Sequence, residues 1–113
     1  MKTLIVEKPW GKFEQFTHNE MTTVKILSVN RGSSLSLQHH SHRTEFWRVV
    51  SGHPVVTIGE KKIKANPDNE FTIEKFQPHR LEAEDDNVQV LEISYGDFEE
   101  DDIIRLEDKY GRA

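Results

Sequence analysis

Cysteine is absent from the 113 residues of this chain, which excludes a disulfide framework and removes thiolates from the possible metal ligands. Long apolar runs are absent as well: no stretch of about 18 apolar residues occurs, so no membrane-spanning helix is expected. Residues 1–9 are too short and too charged for a signal peptide, and we therefore expect a cytoplasmic protein that does not bind membranes. Any metal site must be built from histidine, carboxylate and amide side chains.

Positive charge is the minority charge. The chain has 15 Lys and Arg against 20 Asp and Glu, and this net charge of −5 argues against non-specific nucleic-acid binding. A small anionic substrate is not excluded, because a local cluster of Arg and Lys is enough to bind it. The length predicts a single domain over residues 1–113, with one hydrophobic core.

The chain does contain a series of short alternating segments with turn-forming residues between them, which predicts a small antiparallel barrel or double-sheet jelly roll. Residues 85–87 are predicted to form a hairpin turn between the last two strands, and Trp10 is predicted to plug the core. Residues 101–109 fit a helical turn or an extended cover segment. The predicted strands lie at 12–16, 22–30, 34–40, 45–50, 54–58, 62–64, 71–73, 79–83 and 88–95.

Histidine is concentrated in one stretch, since His39, His40 and His42 are three of the six histidines. On a strand, side chains alternate between faces, so Gln38, His40 and His42 are predicted to share one face. Glu45 follows after a turn. Nitrogen and oxygen donors in this arrangement fit a first-row metal ion. The alternative is a polar strand end without a ligand.

The spacing of this stretch resembles the cupin motif of Gly, five residues, His-x-His, three or four residues, Glu, six residues and Gly. In this chain the motif runs from Gly32 to Gly52, and Gln38 replaces the first histidine. The second cupin motif contributes one further histidine, for which His79 is suited. The resemblance implies an all-β jelly-roll barrel with one metal site, formed by Gln38, His40, Glu45 and His79.

Several segments together are similar to the cupin domain of type II mannose-6-phosphate isomerases. They are Ser-Leu-Ser-Leu-Gln-His-His-Ser-His-Arg-Thr-Glu-Phe-Trp at 34–47, His-Arg-Leu-Glu at 79–82, and the acidic tail that ends in Tyr-Gly-Arg at 110–112. In that family the domain often forms the C-terminal part of a bifunctional enzyme with a mannose-1-phosphate guanylyltransferase. The sequence departs from the family at 74–76, where Glu-Lys-Phe stands for Pro-x-Gly. It also contains no Gly-rich phosphate loop, so guanylyltransferase activity is not expected.

The resemblance implies an aldose–ketose isomerase that interconverts mannose 6-phosphate and fructose 6-phosphate through an enediolate, in GDP-mannose and polysaccharide biosynthesis. It further implies one divalent metal ion per chain, with zinc as the first expectation and manganese, iron, cobalt or nickel also possible, and a homodimer. Two alternatives stay open. One is a cupin that binds a sugar or sugar phosphate without turnover, and the other is a different metal-dependent cupin enzyme such as an epimerase or a dioxygenase.

The charged residues near this site have predicted roles. His42 is a candidate proton carrier, with a fifth metal ligand or a rim residue as alternatives. Arg43 is predicted to bind the phosphate or steady the enediolate, unless it is a surface arginine. Lys8, Arg105 and Arg112 would form a phosphate patch if the tail folds over the mouth of the barrel, and otherwise they are solvated charges.

Overall fold

The computed structural model describes residues 3–96 and 102–107, and every regular element in this part of the chain is a β-strand. Within the same residues no helix is long and apolar enough to cross a membrane. The predicted all-β class is confirmed. The strands are β1 (Leu4–Lys8), β2 (Gly11–Gln15), β3 (Thr22–Val29), β4 (Leu37–His39), β5 (Arg43–Ser51), β6 (Val55–Ile58), β7 (Lys61–Lys64), β8 (Glu70–Ile73), β9 (His79–Glu82), β10 (Val88–Gly96) and β11 (Ile104–Glu107).

The strands form two main sheets and one separate hairpin. A four-stranded sheet has the order β3-β10-β5-β8, and a five-stranded sheet has the order β11-β4-β9-β6-β7. Among the described residues, β1 pairs only with β2. The two main sheets contain antiparallel pairs only. Because consecutive strands often lie in different sheets, the chain crosses between the layers repeatedly, as in a jelly roll.

The hydrophobic core lies between the two sheets. Trp47 and Val49 from β5 pack with Val90 from β10, and Leu81 from β9 closes the core from the other sheet. Alternation along β5 puts Glu45 on the same face as Trp47 and Val49. The apolar side chains that hold the sheets together therefore carry this carboxylate into the interior.

Three local predictions are corrected by the fold. The turn at 85–87 is not a hairpin, because β9 and β10 belong to different sheets. Trp10 is not a core plug: it lies at the tip of the β1–β2 hairpin and is 72% exposed. The predicted strand at 34–40 is shorter, since β4 covers only Leu37–His39. The cover segment is extended where the structure describes it, as β11.

Candidate metal centre

Three of the four predicted metal ligands converge inside the barrel. His40 directly follows β4, Glu45 lies on β5 and His79 begins β9, and all three side chains are buried. Glu45 Oε1 lies 3.1 Å from His40 Nε2 and 3.3 Å from His79 Nε2, and the two Nε2 atoms are 3.2 Å apart. The two sheets thus bring their potential ligands to one point.

The two imidazoles are held with the same ring nitrogen facing the centre. His40 Nδ1 donates to the carbonyl of Asp102 at 2.8 Å, and His79 Nδ1 donates to the carbonyl of Gln77 at 2.9 Å. A carbonyl can only accept, so each Nδ1 carries the hydrogen and each neutral ring presents a lone pair at Nε2. This is the orientation in which histidine binds a metal through Nε2.

The donor atoms fit a divalent cation. Burial raises the pKa of Glu45, but hydrogen bonds and positive charge from the His40 and His79 rings, which act when a ring carries a proton on Nε2, outweigh burial and lower that pKa below its ordinary value, so the group is a carboxylate. Two lone pairs and a carboxylate oxygen at these distances repel one another unless a proton or a cation lies between them. Tetrahedral bonds of about 2.0 Å to zinc would put the ligand atoms about 3.3 Å apart, close to the separations seen here.

Arg43 and Ser94 contact this cluster directly. Arg43 is buried at the start of β5, with Nη2 3.3 Å from His40 Nε2 and Nε 3.5 Å from Glu45 Oε2. The alternative of a surface arginine is therefore wrong. Ser94, which no sequence argument selected, donates from Oγ to Glu45 Oε2 at 3.1 Å. These contacts leave Glu45 Oε1 as the carboxylate oxygen directed at the two histidines.

Gln38 and Arg105 lie in one row with His79. Gln38 is directly opposite His79 across β4 and β9, and Arg105 is directly opposite Gln38 across β11. Residues directly opposite one another share a face of the sheet. Gln38 and Arg105 therefore lie on the same face as His79, the face that is turned toward the potential metal ligands. Gln38 Oε1 accepts a hydrogen bond from Ser36 at 2.9 Å, and its role as a ligand stays a prediction.

The other predicted residues are not brought to the cluster. His42 lies in the bend after β4, where strand alternation no longer applies, and its side chain is exposed, so the shared face with His40 is wrong. Lys8 is exposed on β1, and its ammonium group lies 5.9 Å from the centroid of Phe13. Arg112 falls outside the described residues.

Glu92 is a second buried carboxyl group near the centre. It accepts a hydrogen bond from the indole nitrogen of Trp47 at 3.0 Å, and burial together with the charge of Glu45 raises the pKa of Glu92 to about 7. Trp47 in turn meets the ring of His79 edge-on, with centroids 5.6 Å apart. Sequence reasoning missed Glu92, although a carboxylate at an inward position of the alternating strand β10 was a usable signal.

A cavity of about 420 Å³ borders the centre through Glu45. Its walls combine aromatic rings, threonines and carboxylates, and no Lys or Arg is among the described residues that form them. The carboxylates in these walls would repel a phosphate group. The lining residues are Phe16, Glu20, Thr44, Glu45, Phe46, Thr72, Glu74 and Tyr95.

The chain matches a known protein family over nearly its whole length. Residues 2–108 match the family described as Mannose-6-phosphate isomerase C-terminal. The chain belongs to this family. The resemblance to the isomerase cupin domain is thereby confirmed. The family implies a metal, and His40, Glu45 and His79 form a group of potential ligands among the described residues.

The curated relatives are longer proteins. Mannose-1-phosphate guanylyltransferase ManC of Salmonella typhimurium is 39% identical over 111 residues, which cover 96% of this chain and 23% of that protein. Xanthan biosynthesis protein XanB of Xanthomonas campestris is 38% identical over 110 residues, covering 96% of this chain and 24% of that protein. The chain thus spans less than a quarter of the length of these two relatives.

Solved structures confirm the fold. The capsular polysaccharide assembling protein CapF from Staphylococcus aureus superposes with a TM-score of 0.70 at 17% identity, covering 95% of this chain and 35% of that chain. A cupin protein from Bacteroides fragilis superposes with a TM-score of 0.61 at 21% identity, covering 66% of this chain and 65% of that one. At such identities the likeness concerns the cupin jelly roll and not the activity.

Proposed function

We propose that this chain is a metal-dependent isomerase that interconverts mannose 6-phosphate and fructose 6-phosphate by moving a proton between C1 and C2. The observation that carries the proposal is the convergence of His40, Glu45 and His79 inside a barrel whose family is described by this activity. Gln38 is the proposed fourth ligand, beside His79 in the sheet register. Zinc is the first candidate metal, since two imidazoles, a carboxylate and an amide are all ligands that it accepts.

The substrate's carbon-bound proton is weakly acidic, so the site must stabilise the negative charge that develops on the two sugar oxygens. A divalent cation held by His40, Glu45 and His79 would polarise those oxygens. Arg43 adds a fixed positive charge within hydrogen-bonding distance of His40. Because Arg43 is buried, its charge acts in a medium of low dielectric constant, where it stabilises an enediolate more than it would in water.

The proton itself needs a carrier, and His42 is the proposed one because an imidazole can both accept and donate a proton at its ring nitrogens. Its backbone N–H donates to the carboxylate of Asp102 at 2.8 Å, which fixes the backbone while the exposed side chain faces the solvent. A carrier at the rim would exchange protons with water as well as with substrate. Turnover in ²H₂O would then introduce deuterium at C1 or C2 in wild type, and far more slowly in His42→Ala.

The phosphate group is proposed to bind at Arg105. The side chain of Arg105 is half-buried on the metal-bearing face, and its Nε lacks a hydrogen-bond partner among the described residues. A buried guanidinium donor without a partner favours an anionic ligand, since leaving it unpaired costs about 1–3 kcal/mol. Lys8 and Arg112 remain further candidates for this patch.

The test is a coupled assay of mannose 6-phosphate conversion with metal-stripped protein, to which zinc, manganese, cobalt or nickel is returned. We expect turnover that depends on metal and is lost in His40→Ala and His79→Ala. His53→Ala is the control, because His53 pairs with Asp86 at the surface at 2.8 Å and should keep full activity. Protein that binds one metal per chain and turns over with none of these metals would contradict the isomerase.

A sugar- or sugar-phosphate-binding cupin without turnover is the second candidate, and the loop at 74–76 favours it. Phe76 has a φ of 64° and its N–H donates to the carbonyl of His40 at 2.6 Å, so the departure from the family pattern directly contacts a proposed ligand residue. Calorimetric binding of mannose 6-phosphate to metal-loaded protein that shows no isomerase activity would support this alternative.

We also propose a homodimer. Among the described residues β3 is an edge strand, and its Val24 and Ile26 are more than half exposed. Exposed apolar side chains at a sheet edge favour association with another chain. Light scattering of purified protein should give the mass of two chains. A mass of one chain across the accessible concentration range would contradict the dimer.

A further inference from the structure

Asp102 makes four hydrogen bonds to three consecutive residues that lie about 60 positions earlier in the chain. Its Oδ1 accepts from the backbone N–H of Ser41 at 2.9 Å and from Ser41 Oγ at 2.5 Å, and its Oδ2 accepts from the N–H of His42 at 2.8 Å. Its carbonyl oxygen accepts from His40 Nδ1 at 2.8 Å. The side chain of Asp102 thus binds the bend at residues 41 and 42, and its backbone carbonyl binds the imidazole of His40.

This bend connects two strands that carry the metal cluster. Residues 41 and 42 link β4, which His40 follows, to β5, which carries Arg43 and Glu45. The strand register explains how Asp102 comes to lie there, because Ile104 pairs with His39 and Arg105 with Gln38. The same antiparallel register, continued by two residues, puts Asp102 opposite Ser41. Docking of β11 is therefore what delivers Asp102 to the bend.

We propose that Asp102 is a positioning residue, which sets the ring orientation of His40 and thereby the affinity of the metal centre. The inference rests on the proposed metal site. His79 has its Nδ1 fixed by the carbonyl of Gln77, only two residues away on the same segment. His40 depends instead on a carbonyl from a distant segment. That carbonyl stays aimed at Nδ1 because the Asp102 carboxylate fastens the same residue to the bend through three further hydrogen bonds.

The hydrogen bond to the Asp102 carbonyl lowers the entropic cost of metal binding by His40. A free imidazole can rotate about its side-chain bonds and exchange between two tautomers, and metal binding must then restrict both. Partners that orient a ligating histidine typically change metal affinity about 10–100-fold when they are removed. By linkage, a bound metal should in turn stabilise the docked position of β11 by the same factor.

The test measures Zn²⁺ affinity of the full chain by competition with a chromogenic chelator. We expect Asp102→Ala to bind zinc about 10–100-fold more weakly than wild type, and Ser41→Ala, which removes only one of the three side-chain hydrogen bonds, to lose less. Asp86→Ala is the matched control. Asp86 also accepts from a backbone N–H and from a ring nitrogen, both of His53, at 2.9 and 2.8 Å, but it lies away from the centre. It should change affinity by less than about twofold.

A second readout does not need the metal. The ring ¹⁵N shifts of His40 in metal-free protein should report one tautomer, with the hydrogen on Nδ1, in wild type and a mixture in Asp102→Ala. If Asp102→Ala fails to fold, Ser41→Ala carries the same comparison. Unchanged zinc affinity in folded variants, or an equal loss in Asp86→Ala, would overturn the inference while the metal centre stands. Wild-type protein that binds no zinc would contradict both the proposed metal site and the role of Asp102. Zinc binding without isomerase activity would contradict only the proposed isomerase function.

Discussion

At the scale of single residues, the two glycines that bound the histidine stretch differ in one physical respect. Gly32 and Gly52 have nearly the same left-handed backbone, with φ of 83° and 82°. A Cβ atom on Gly32 would meet nothing within 4 Å, whereas one on Gly52 would lie 2.3 Å from the carbonyl oxygen of Asn87. Gly52 therefore lets two backbone segments approach, while Gly32 only turns the chain.

This pair supplies a prediction about stability. Gly32→Ala should lower the unfolding free energy by about 1 kcal/mol, the cost of a left-handed non-glycine residue. Gly52→Ala should lower it by about 1–3 kcal/mol more, because the backbone at residues 87 and 88 must move. Urea unfolding followed by fluorescence measures both values. Equal losses in the two variants would show that the contact with Asn87 does not matter.

The pair of Arg48 and Glu14 predicts a pH effect. Two hydrogen bonds from Arg48, at 2.7 and 2.8 Å, hold the pKa of Glu14 below its ordinary value. A depressed folded pKa adds stability above the ordinary value of the carboxyl group, and this is lost as pH falls through the lowered pKa. In Arg48→Gln the pKa of Glu14, measured by NMR, should rise. The unfolding free energy should then decrease less than in wild type as the pH is lowered. Asp86 is the internal control, because His53 lowers its pKa independently.

At the scale of elements, the loop before β9 carries backbone strain. Phe76 adopts a φ of 64°, a region that favours glycine, and its side chain is 63% exposed with its ring 6.3 Å from that of His39. The family pattern has glycine at this position. The sequence departure at 74–76 therefore places a bulky side chain at a left-handed backbone position that favours glycine.

Phe76→Gly should raise the unfolding free energy by about 1 kcal/mol. Relief of strain of about 1–3 kcal/mol exceeds the greater unfolded-state entropy of glycine, which costs about 0.5–1 kcal/mol. Chemical denaturation measures the change. Phe76→Ala is the matched variant, since it removes the ring and keeps the strain, and it should give no stabilisation. A stabilisation of the same size in both variants would trace the effect to the ring instead.

Two arginines lie on opposite faces of the five-stranded sheet, Arg105 on β11 and Arg80 on β9. Arg105 shares the metal-bearing face, while Arg80 on β9 points away from the cluster and donates to Glu107 of β11 at 3.0 Å. Arg105→Gln should raise KM for mannose 6-phosphate about 10–100-fold, because a hydrogen bond to a charged group is worth about 1.5–3 kcal/mol. Arg80→Gln should leave KM unchanged. Steady-state kinetics with metal-loaded protein would contradict the assignment if both variants behaved alike.

At the scale of the whole molecule, the three potential metal ligands come from both sheets. Glu45 belongs to the four-stranded sheet, whereas His79 belongs to the five-stranded sheet and His40 follows its strand β4. A cation bound by all three would link the layers next to the core residue Trp47. Ligand binding to the folded state alone adds stability in proportion to the logarithm of ligand concentration.

Zinc at about 100 times its Kd should therefore raise the unfolding free energy by about 2.7 kcal/mol, and a chelator should reverse the gain. Differential scanning calorimetry measures the shift. His79→Ala should show no such response, and His53→Ala should respond like wild type. A zinc effect that persists in His79→Ala would locate the bound ion elsewhere on the chain.

Much of this protein is determined by local order in its sequence. Alternation and turn residues predicted nine of the strands within a few residues, because each depends on short-range periodicity. The resemblance to the cupin motifs, from Gly32 to Gly52 and at the later histidine, implied a ligand set of which His40, Glu45 and His79 do converge. The strands are readable because a strand projects its residues at fixed intervals, whereas the ligand set was implied by the family resemblance.

Only the tertiary structure decided which strands pair and which distant groups meet. A turn at 85–87 indicates a change of direction but does not indicate which sheet the next strand joins. Trp10 is an aromatic residue typical of a core, and only its place at the tip of the β1–β2 hairpin shows that it is exposed. Glu92 and Ser94 approach Glu45 from the neighbouring strand β10, and Asp102 contacts His40 from 62 residues further along the chain. Such contacts depend on the register between strands that are remote in sequence, which is set by burial of the whole core and not by any local pattern.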